Sequence, residues 1–587
     1  TTFTPAEHIQ NTFQYMDNLI WNRGAHSLKM GVSWTHWQYN IALASRLNGT
    51  FTFGDGIKAL IENKPSAATL FFSEPFRAGL RANLIGIYLQ DDINVSPNLT
   101  VNLGVRYEFI TVPTEVNGKL GNIQDPFQVV PSCPVESVAT APRPCTGTDE
   151  YFENPSLKNF SPRVGFSWDP TGSGKSSIRA GFGLFHHQIT PAMYSTAPHR
   201  MSPFAIVASL SDRDPRQPEI VLPTSLRELS GDSPGVQTPD VQVLTDPGAT
   251  AYLMQWNLSL QREILPQTAV TATYTGSRGV HLPRGAQVNA PIGEQQADGR
   301  WFFPEGIQRH NPGYAGILSY LWDGQSWYNG LRLGLQRRFS EGFHYQLSYQ
   351  FQKFMDDGSS VSVRRKDFVN SSTSSQYWLD KTLDRALSSY DTTHIFSSNF
   401  SVDLPGSGLG GAAGLVLGGW RFNGIISLST GPPLEIGGDG NATCGFCASR
   451  PNLRPGAPNN PNTGDPNAWF GPIAEVLSDD PTDCLTEGSS SFILCTQEQG
   501  FFGNLGRNTA SMPGLANLDV SIQKNFSIGE TADVQFRAEF FNVLNRVNFG
   551  VPSRGTFSRG RPNAAFGRIT STTTTSRQIQ FALKIIF

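Results

Sequence analysis

The sequence predicts an all-β fold, an antiparallel transmembrane β-barrel, and three observations predict it. Apolar and polar residues alternate with a period of two along most of the chain, the alternating runs are long, and the connections between them are short and long in turn. Successive side chains of a strand point to opposite faces, so each run has one apolar face and one polar face. Such strands suit a barrel whose outer face meets lipid and whose inner face meets a polar lumen.

The alternation is clearest in segments 99–109, 343–352 and 533–540. These runs exceed the roughly 5–6 residues of a usual strand and reach the roughly 9–11 residues that a tilted strand needs to cross a bilayer. Their apolar faces are rich in aromatic residues, as the interfacial girdles of membrane barrels require. We expect about 15 strands, near 10–22, 25–38, 77–93, 98–112, 160–169, 176–187, 251–264, 266–276, 327–339, 342–353, 392–403, 418–430, 516–528, 531–545 and 576–587.

The connections alternate between short and long. The short ones include 22–24, 95–98, 169–175, 265–266 and 340–342. The long ones are 39–76, 113–159, 188–250, 277–326, 354–391, 431–515 and 546–575. In an antiparallel meander, alternate connections lie at opposite ends of the strands, so all the long loops share one side. Short periplasmic turns and long extracellular loops are typical of bacterial outer-membrane barrels.

Composition supports this fold class and excludes others. The chain has 587 residues, of which 16% are charged and 38% apolar, with a formal net charge of −3. A soluble chain so poor in charge would normally have a larger apolar fraction. The near-neutral charge, without a basic block, argues against a nucleic-acid binder. No run of about 18 apolar residues is present, so we expect no transmembrane helix.

Six cysteines lie in the long loops as three close pairs. An even number at short spacings suits disulfides in an oxidising compartment. The Cys-Gly-Phe-Cys segment 444–447 also resembles a redox or metal motif, but no second such pair stands nearby to complete a zinc site. We therefore predict disulfide staples, with the pairing left open, at Cys133, Cys145, Cys444, Cys447, Cys484 and Cys495.

The parity of the strands adds an expectation about the ends of the chain. The first and the last predicted strand both run toward the short-turn side, which gives an odd number, whereas single-chain bacterial barrels have even numbers. An open sheet would leave backbone groups unpaired in lipid. The sequence also starts at Thr1 without an initiating Met or a signal segment. We expect a truncated or processed product, with strands missing at its N-terminal side or supplied by another chain.

Several segments resemble a known family. The hairpin 86–108 (GIYLQDDINVSPNLTVNLGVRYE), segment 256–263 (WNLSLQRE), segment 535–549 (QFRAEFFNVLNRVNF) and the ending 577–587 (RQIQFALKIIF) are similar to barrel segments of TonB-dependent outer-membrane transporters, in particular the Oar-like subfamily. The resemblance extends over essentially the whole chain. It identifies residues 1–587 as the C-terminal part of such a barrel.

The resemblance implies about 22 strands around a plugged lumen. The plug, the TonB box and the carboxypeptidase-regulatory-like domain of the subfamily would then be absent from this chain. The partners it implies are lipid of the outer membrane, the TonB complex through the missing plug, the barrel-assembly machinery and an unidentified extracellular ligand. The terminal aromatic Phe587 would be the assembly signal that this machinery reads.

Charged residues on the polar faces are the candidate site residues. If their apolar neighbours face lipid, they point inward, where they would either line a substrate path or hold the plug by salt bridges. The alternative interpretation is that they only solvate the lumen wall and pair across strands. They are Arg106, Glu108, Arg179, Arg332, Arg421, Arg537 and Glu539.

No motif indicates an enzyme, a cofactor or a metal. Segment 171–177 resembles a phosphate-binding loop, but Asp169 stands where the pattern needs glycine and a strand follows. No Gly-x-Ser-x-Gly motif accompanies the scattered Ser, His and Asp residues. His186 and His187 lack obvious further ligands in the sequence.

The leading hypothesis is an outer-membrane, TonB-dependent transporter that imports an unidentified bulky substrate. The second is a structural or adhesion protein on the same barrel, which uses its extracellular loops to bind partners. A passive porin is the third.

Overall fold

The structure is a computed structural model, and it describes most of the chain. The described residues are 6–43, 49–54, 57–71, 76–118, 123, 126–127, 153–189, 193, 207–211, 219–221, 240–245, 248–312, 314, 316–359, 375–406, 411–438, 449–485, 488, 490–528, 532–558 and 560–586.

Fifteen long strands build the main sheet of the described residues. They are β1 (Ala6–Arg23), β2 (His26–Leu43), β3 (Phe76–Ser96), β4 (Leu99–Ile110), β5 (Phe160–Trp168), β6 (Ser176–His186), β7 (Tyr252–Leu265), β8 (Thr268–Gln287), β9 (Gly316–Ser340), β10 (Phe343–Asp356), β11 (His394–Asp403), β12 (Trp420–Ser429), β13 (Leu515–Ile528), β14 (Ala532–Phe541) and β15 (Gln578–Ile586).

Shorter elements lie in the connections. The α-helices are α1 (Ile57–Ile61), α2 (Gly411–Leu417) and α3 (Ile473–Val476), and the 3₁₀ helices are Pro155–Lys158, Lys381–Asp384 and Pro481–Cys484. The short strands are Thr50–Thr52, Ala67–Phe71, Thr114–Glu115, Val207–Ser211, Asp240–Gln242, Glu294–Gln295, Trp301–Phe302, Ala386–Leu387, Pro433–Leu434, Asn452–Leu453, Leu477–Ser478, Leu494–Cys495, Ala510–Ser511, Phe557–Ser558 and Arg561–Pro562. None of the helices among the described residues has the length and apolar character needed to span a bilayer.

Each long strand pairs antiparallel with the next along the chain, from β1 to β15. This meander confirms the predicted antiparallel β fold and the expected number of about 15 strands. Further strands that would complete a barrel of about 22 stay a prediction.

The alternation of short and long connections is confirmed. The short side has tight turns, such as residues 24–25 between β1 and β2, where Gly24 has a φ of 58°, a value that glycine adopts readily. The turn 169–175 between β5 and β6 is closed by the Asp169 carboxylate, which accepts hydrogen bonds from the backbone N–H groups of Thr171 (3.1 Å) and Gly174 (2.6 Å). The segment that resembles a phosphate-binding loop is therefore part of a strand connection.

One predicted loop is wrong in its extent. The sequence assigned 277–326 to a loop, but β8 continues to Gln287 and β9 starts at Gly316. The two strands stay paired there through two register shifts, near His281, which has a φ of 56°. The bulges interrupt the regular alternation of side chains, and this irregularity hid the strand ends from a period-two pattern.

Apolar residues are exposed on the strands and buried among the connections. Tyr15, Trp34 and Ile85 lie side by side in register on one face of β1, β2 and β3, and Tyr15 and Trp34 are exposed. The apolar clusters of buried residues lie instead at the long-loop ends of the strands and in the long connections. The described residues therefore form two regions. Strands β1–β15 form the first, which we call the wall, and the long connections form the second, which has its own buried core.

Candidate functional site

The strand register places the seven predicted charged side chains on one face of the wall. Arg179 pairs with Ser259, which pairs with Thr273, which pairs with Arg332. Followed from strand to strand, these pairs put all seven on the face opposite the aromatic residues. The complete set is Arg106, Glu108, Arg179, Arg332, Arg421, Arg537 and Glu539.

The structure brings some of these charges together and leaves others apart. Arg106 Nε donates to Glu108 Oε1 at 2.6 Å, and Arg537 Nη1 lies 3.5 Å from Glu539 Oε1. Arg421 Nε donates to Asp403 Oδ1 at 2.6 Å at the short-turn ends of β12 and β11.

The two remaining arginines have polar neighbours across the strands. Arg332 Nε donates to Ser348 Oγ at 3.2 Å, and Arg179 stands opposite Ser259. Two arginines pair with carboxylates of their own strands, namely Arg106 with Glu108 and Arg537 with Glu539. These pairs fit the interpretation in which charges only solvate the wall. A substrate path or a plug contact at these residues stays a prediction.

The long connections 288–315, 357–393, 430–514 and 542–577 fold against one another, and we call their described residues the loop cap. Its largest apolar cluster combines Leu434, Phe470 and Leu505 of connection 430–514 with Phe557 and Phe566 of connection 542–577. The rings of Phe470 and Phe566 stack at a centroid distance of 5.1 Å. Contacts across sequence separations this long make the cap a packed unit rather than a set of independent loops.

A network of buried charges joins three of these connections, namely 357–393, 430–514 and 542–577. Arg450 is 1% exposed, and its guanidinium donates to Asp384 Oδ1 (2.7 Å) and to Glu435 Oε1 (3.1 Å). Glu435 also lies 3.5 Å from Arg554, and Asp384 lies 3.7 Å from Arg284 of β8. Burial alone would lower the pKa of Arg450, but the charges and hydrogen bonds of Asp384 and Glu435 outweigh it and raise the pKa. The network thus keeps a cation charged inside the cap.

A second buried pair anchors the cap to the wall. Arg507 donates to the carboxylate of Asp356, the last residue of β10, and to Ser359 Oγ at 2.9 Å. Its Nε also donates to the backbone oxygen of Asp384 at 2.7 Å. Because buried charges are costly unless they are paired and hydrogen-bonded, these contacts fix how the cap sits on β10.

One of the predicted cysteine pairs lies in the cap. Cys484 and Cys495 form a disulfide with a Cα–Cα distance of 5.9 Å, and both are buried. This result confirms a disulfide among the long loops. Cys133, Cys145, Cys444 and Cys447 lie outside the described residues.

The solvent side of the cap presents an aromatic and charged surface. The Arg300 guanidinium lies 4.5 Å from the ring centre of Phe501, whose ring is 5.0 Å from that of Phe302. Arg300 Nη1 also lies 2.8 Å from Glu498 Oε2, and the hydrogen bonds of Asp298 and Glu498 raise the pKa of Arg300. Arginine and aromatic side chains are enriched where proteins bind partners, so this surface is a candidate ligand contact.

The described part of the chain shows no cluster of metal-binding side chains. No three His, Cys, Asp or Glu side chains there are grouped to hold a metal ion. The Nδ1 atom of His186 is 3.0 Å from Ser161 Oγ.

Sequence reasoning missed the buried network of the cap. Arg450, Asp384 and Glu435 follow no repeated spacing, and they lie in segments without strand periodicity. The only local signal was the length of the connections, since long loops in a compact domain are often functional. Their pairing depends on how distant loops pack, which no local pattern encodes.

The chain is similar to known outer-membrane proteins. The family model described as "Outer membrane beta barrel domain" matches residues 1–580. The outer membrane transporter YddB from Escherichia coli is 11% identical, with a TM-score of 0.49, over 99% of this chain and 54% of that one. The ferric preacinetobactin receptor BauA from Acinetobacter baumannii is 10% identical, with a TM-score of 0.43, over 99% and 54%.

A third solved structure is the ferric enterobactin receptor PfeA, as a G324V mutant, from Pseudomonas aeruginosa, which is 9% identical with a TM-score of 0.45, over 98% and 54%. The chain spans about half the length of these solved structures. A search of curated proteins found no match to the sequence. Because the family model matches nearly the whole chain, the protein belongs to the outer membrane beta-barrel domain family and is a protein of the bacterial outer membrane.

Proposed function

We propose that this chain is the barrel portion of a TonB-dependent transporter that imports a bulky substrate across the outer membrane. The observation that carries the proposal is the folded loop cap at the long-loop end of a wall with a polar face. Ordering four long connections costs much conformational entropy. A passive pore needs no such ordered region, whereas a receptor that captures a ligand from outside uses loops held on a rigid scaffold.

The energy coupling follows from the family resemblance. In the proposed whole protein, TonB acts through a plug that lies outside residues 1–587, and the Oar-like subfamily is the proposed relative. The charged polar face would then contact the plug or line the substrate path. The arginines proposed for this role are Arg332, which donates to Ser348, and Arg179, which lies opposite Ser259 in the strand register. The terminal Phe587 would serve as the assembly signal, and it lies outside the described residues.

A matched pair of deletions tests the proposed import. One strain lacks the gene that encodes this chain and the other lacks TonB, and both are grown on a panel of single iron, carbon and cobalamin sources. We expect a source whose use is lost in both strains and restored by the gene on a plasmid. A growth defect in the gene deletion that the TonB deletion does not share would contradict TonB-dependent import.

The alternative function is adhesion, with the loops binding a partner that is not imported. The surface that the exposed Arg300 forms with the half-buried rings of Phe302 and Phe501 on the cap favours it. Substitution of Arg300 and Phe501 by alanine separates the two functions. Import predicts that nutrient-dependent growth falls, whereas adhesion predicts that growth is unchanged and that cell attachment falls.

A further inference from the structure

Lys524 of β13 occupies a position on the apolar face of the wall. It pairs in register with Trp420 of β12 and with Phe536 of β14. Its neighbours on the same face of β13 are Ile522 and Phe526, since every second residue of a strand shares a face. In an outer-membrane barrel this face meets lipid, where a lysine is unfavourable near the midplane and tolerated close to the interface. Lys524 therefore needs a partner for its charge.

Helix α2 supplies that partner. The Nζ atom of Lys524 donates to the backbone oxygens of Val416 (2.9 Å) and Gly418 (2.8 Å) at the C-terminal end of the helix. The ammonium also lies 5.1 Å from the ring centre of Trp420 and 4.9 Å from that of Phe526. Lys524 is only 3% exposed. The last carbonyls of a helix lack intrahelical donors and carry partial negative charge, so a buried ammonium suits them.

These contacts fix where α2 lies. Because Lys524 is on the apolar face, the helix end that accepts its hydrogen bonds lies against the same face, at the short-turn ends of β12 and β13. Trp420 Nε1 donates to the Val416 oxygen at 2.9 Å. A Cβ atom added at Gly406 would stand 2.5 Å from the Leu417 oxygen, so the chain that leaves β11 packs closely against the end of the helix. The helix is thus held outside the strands and not in their polar interior.

The helix continues the apolar surface of the wall. Its sequence, GAAGLVL, has no charged residue, and Val416 and Leu417 are 65% and 55% exposed. In water such a surface would be unfavourable, but it adjoins Trp420, an aromatic residue of the kind that lies at membrane interfaces. We propose that α2 is an interfacial helix, inserted shallowly into the phospholipid leaflet on the short-turn side, with Lys524 as the residue that fastens it to the wall.

Spin labels test this proposal in protein reconstituted into vesicles of phosphatidylethanolamine and phosphatidylglycerol. One label is placed at Leu417→Cys, and a second variant carries it at Val416→Cys. Two control positions are equally exposed in the structure, namely Phe581→Cys on the apolar face (68%) and Leu544→Cys in connection 542–577 (71%). The measurement is the collision rate of each label with oxygen, which concentrates in lipid, relative to a water-soluble nickel complex.

We expect the oxygen-to-nickel ratio at residues 416 and 417 to be severalfold above that at 544 and to approach that at 581. Adding Lys524→Gln should lower the ratio at 417 and raise the mobility of the label, because the helix end loses the hydrogen bonds that Lys524 donates to Val416 and Gly418. A ratio at 416 and 417 equal to that at 544 would show a helix in water and overturn the proposal. Low collision rates with both reagents would mean that protein covers the helix, and this too would overturn it.

Discussion

Large apolar side chains are exposed in the wall and buried in the loop cap. Phe581 and Leu583 of β15 are each 68% exposed, whereas Phe470 and Phe566 of the cap are 0% and 1% exposed. In the wall, large apolar side chains are stable because lipid surrounds them. In the cap, water lies outside, so these side chains must pack against one another. The comparison teaches that the protein combines a membrane surface turned outward with a small water-soluble core at one end.

Charged residues differ between the two regions in the same manner. The Arg421–Asp403 pair of the wall is 39% and 40% exposed, whereas Arg450 and Asp384 of the cap are 1% and 3% exposed. Half-exposed pairs contribute little, about 0–1 kcal/mol. Breaking a buried pair leaves an uncompensated charge and costs about 3–5 kcal/mol. We therefore expect the buried charge pairs to contribute strongly to the stability of the cap. The half-exposed pairs should contribute little to the stability of the wall.

Arg450→Met gives one of the two largest expected effects. Methionine fills much of the space of arginine but leaves Asp384 and Glu435 without their closest cation. We expect the cap to lose about 3 kcal/mol of stability, the lower end of the range, because Arg284 and Arg554 still contact these carboxylates. Hydrogen exchange of segment 449–485 measures the loss, and exchange in the wall strands should stay unchanged.

The control for this substitution is Arg300→Met, since Arg300 is paired with Glu498 but half exposed. It should change exchange in the cap by at most about 1 kcal/mol. Equal effects of the two substitutions would contradict the claim that burial decides how strongly a cap charge contributes.

A charge introduced on the lipid face gives the next effect. Leu333 of β9 is exposed on the apolar face, next in sequence to Arg332 on the polar face. Leu333→Arg should destabilise the wall by about 2–4 kcal/mol, because a cation near the bilayer midplane loses its hydration. Urea titration of folding into lipid vesicles measures it, and the apolar and polar faces would have to be reassigned if no loss were seen.

Thr271→Arg is the matched control, because Thr271 lies on the polar face of β8 opposite Gly334. Its expected cost is within about 0.5 kcal/mol, as for most substitutions on a polar surface. The difference between the losses of stability in the two variants measures how much less favourable a charge is on the apolar face than on the polar face.

The wall could be predicted from the sequence, and the cap could not. A strand such as 343–352 shows its structure in every second residue, and the register then follows from the turns. The contact of Arg450 with Asp384 has no such local code, because it depends on the packing of two connections. Lys524 was likewise hidden, since one lysine in an apolar strand face looks like an irregularity until α2 is seen beside it.

The disulfide of the cap gives a third, smaller effect. Replacing Cys484 and Cys495 together by serine releases a loop of sequence separation 11. If a disulfide stabilises by reducing the entropy of the unfolded chain, one that closes a loop of 15 residues contributes about 3 kcal/mol, and one that closes a shorter loop contributes somewhat less. We expect faster proteolysis within 477–495 in the double variant and no change in the folding of the wall. A loss of wall folding would show that the two regions are not separate in stability.

The smallest expected effect concerns pH and a single carboxyl group. Burial raises the pKa of Asp357, the first residue after β10, despite its hydrogen bond from the Gln325 backbone (3.0 Å). The folded cap therefore binds this proton more readily than the unfolded chain, so the contribution of Asp357 is favourable at low pH. It is lost as the pH rises from the ordinary range of aspartate, about 4, through the raised pKa.

Asp357→Asn removes this pH dependence, because asparagine keeps an oxygen acceptor for Gln325 and has no charge to desolvate. The variant should be modestly more stable than the parent at neutral pH and equal to it near pH ~4, as measured by hydrogen exchange of residues 375–393. Asp480→Asn is the control of opposite sign, since hydrogen bonds from Thr482 lower the pKa of Asp480. That carboxylate contributes at neutral pH and loses its contribution as the pH falls, so its replacement should give no gain at pH 7. If the gain in stability from Asp357→Asn persisted unchanged at acidic pH, its cause would be packing and not charge. Desolvation of the Asp357 carboxylate would then make no contribution to the stability of the cap.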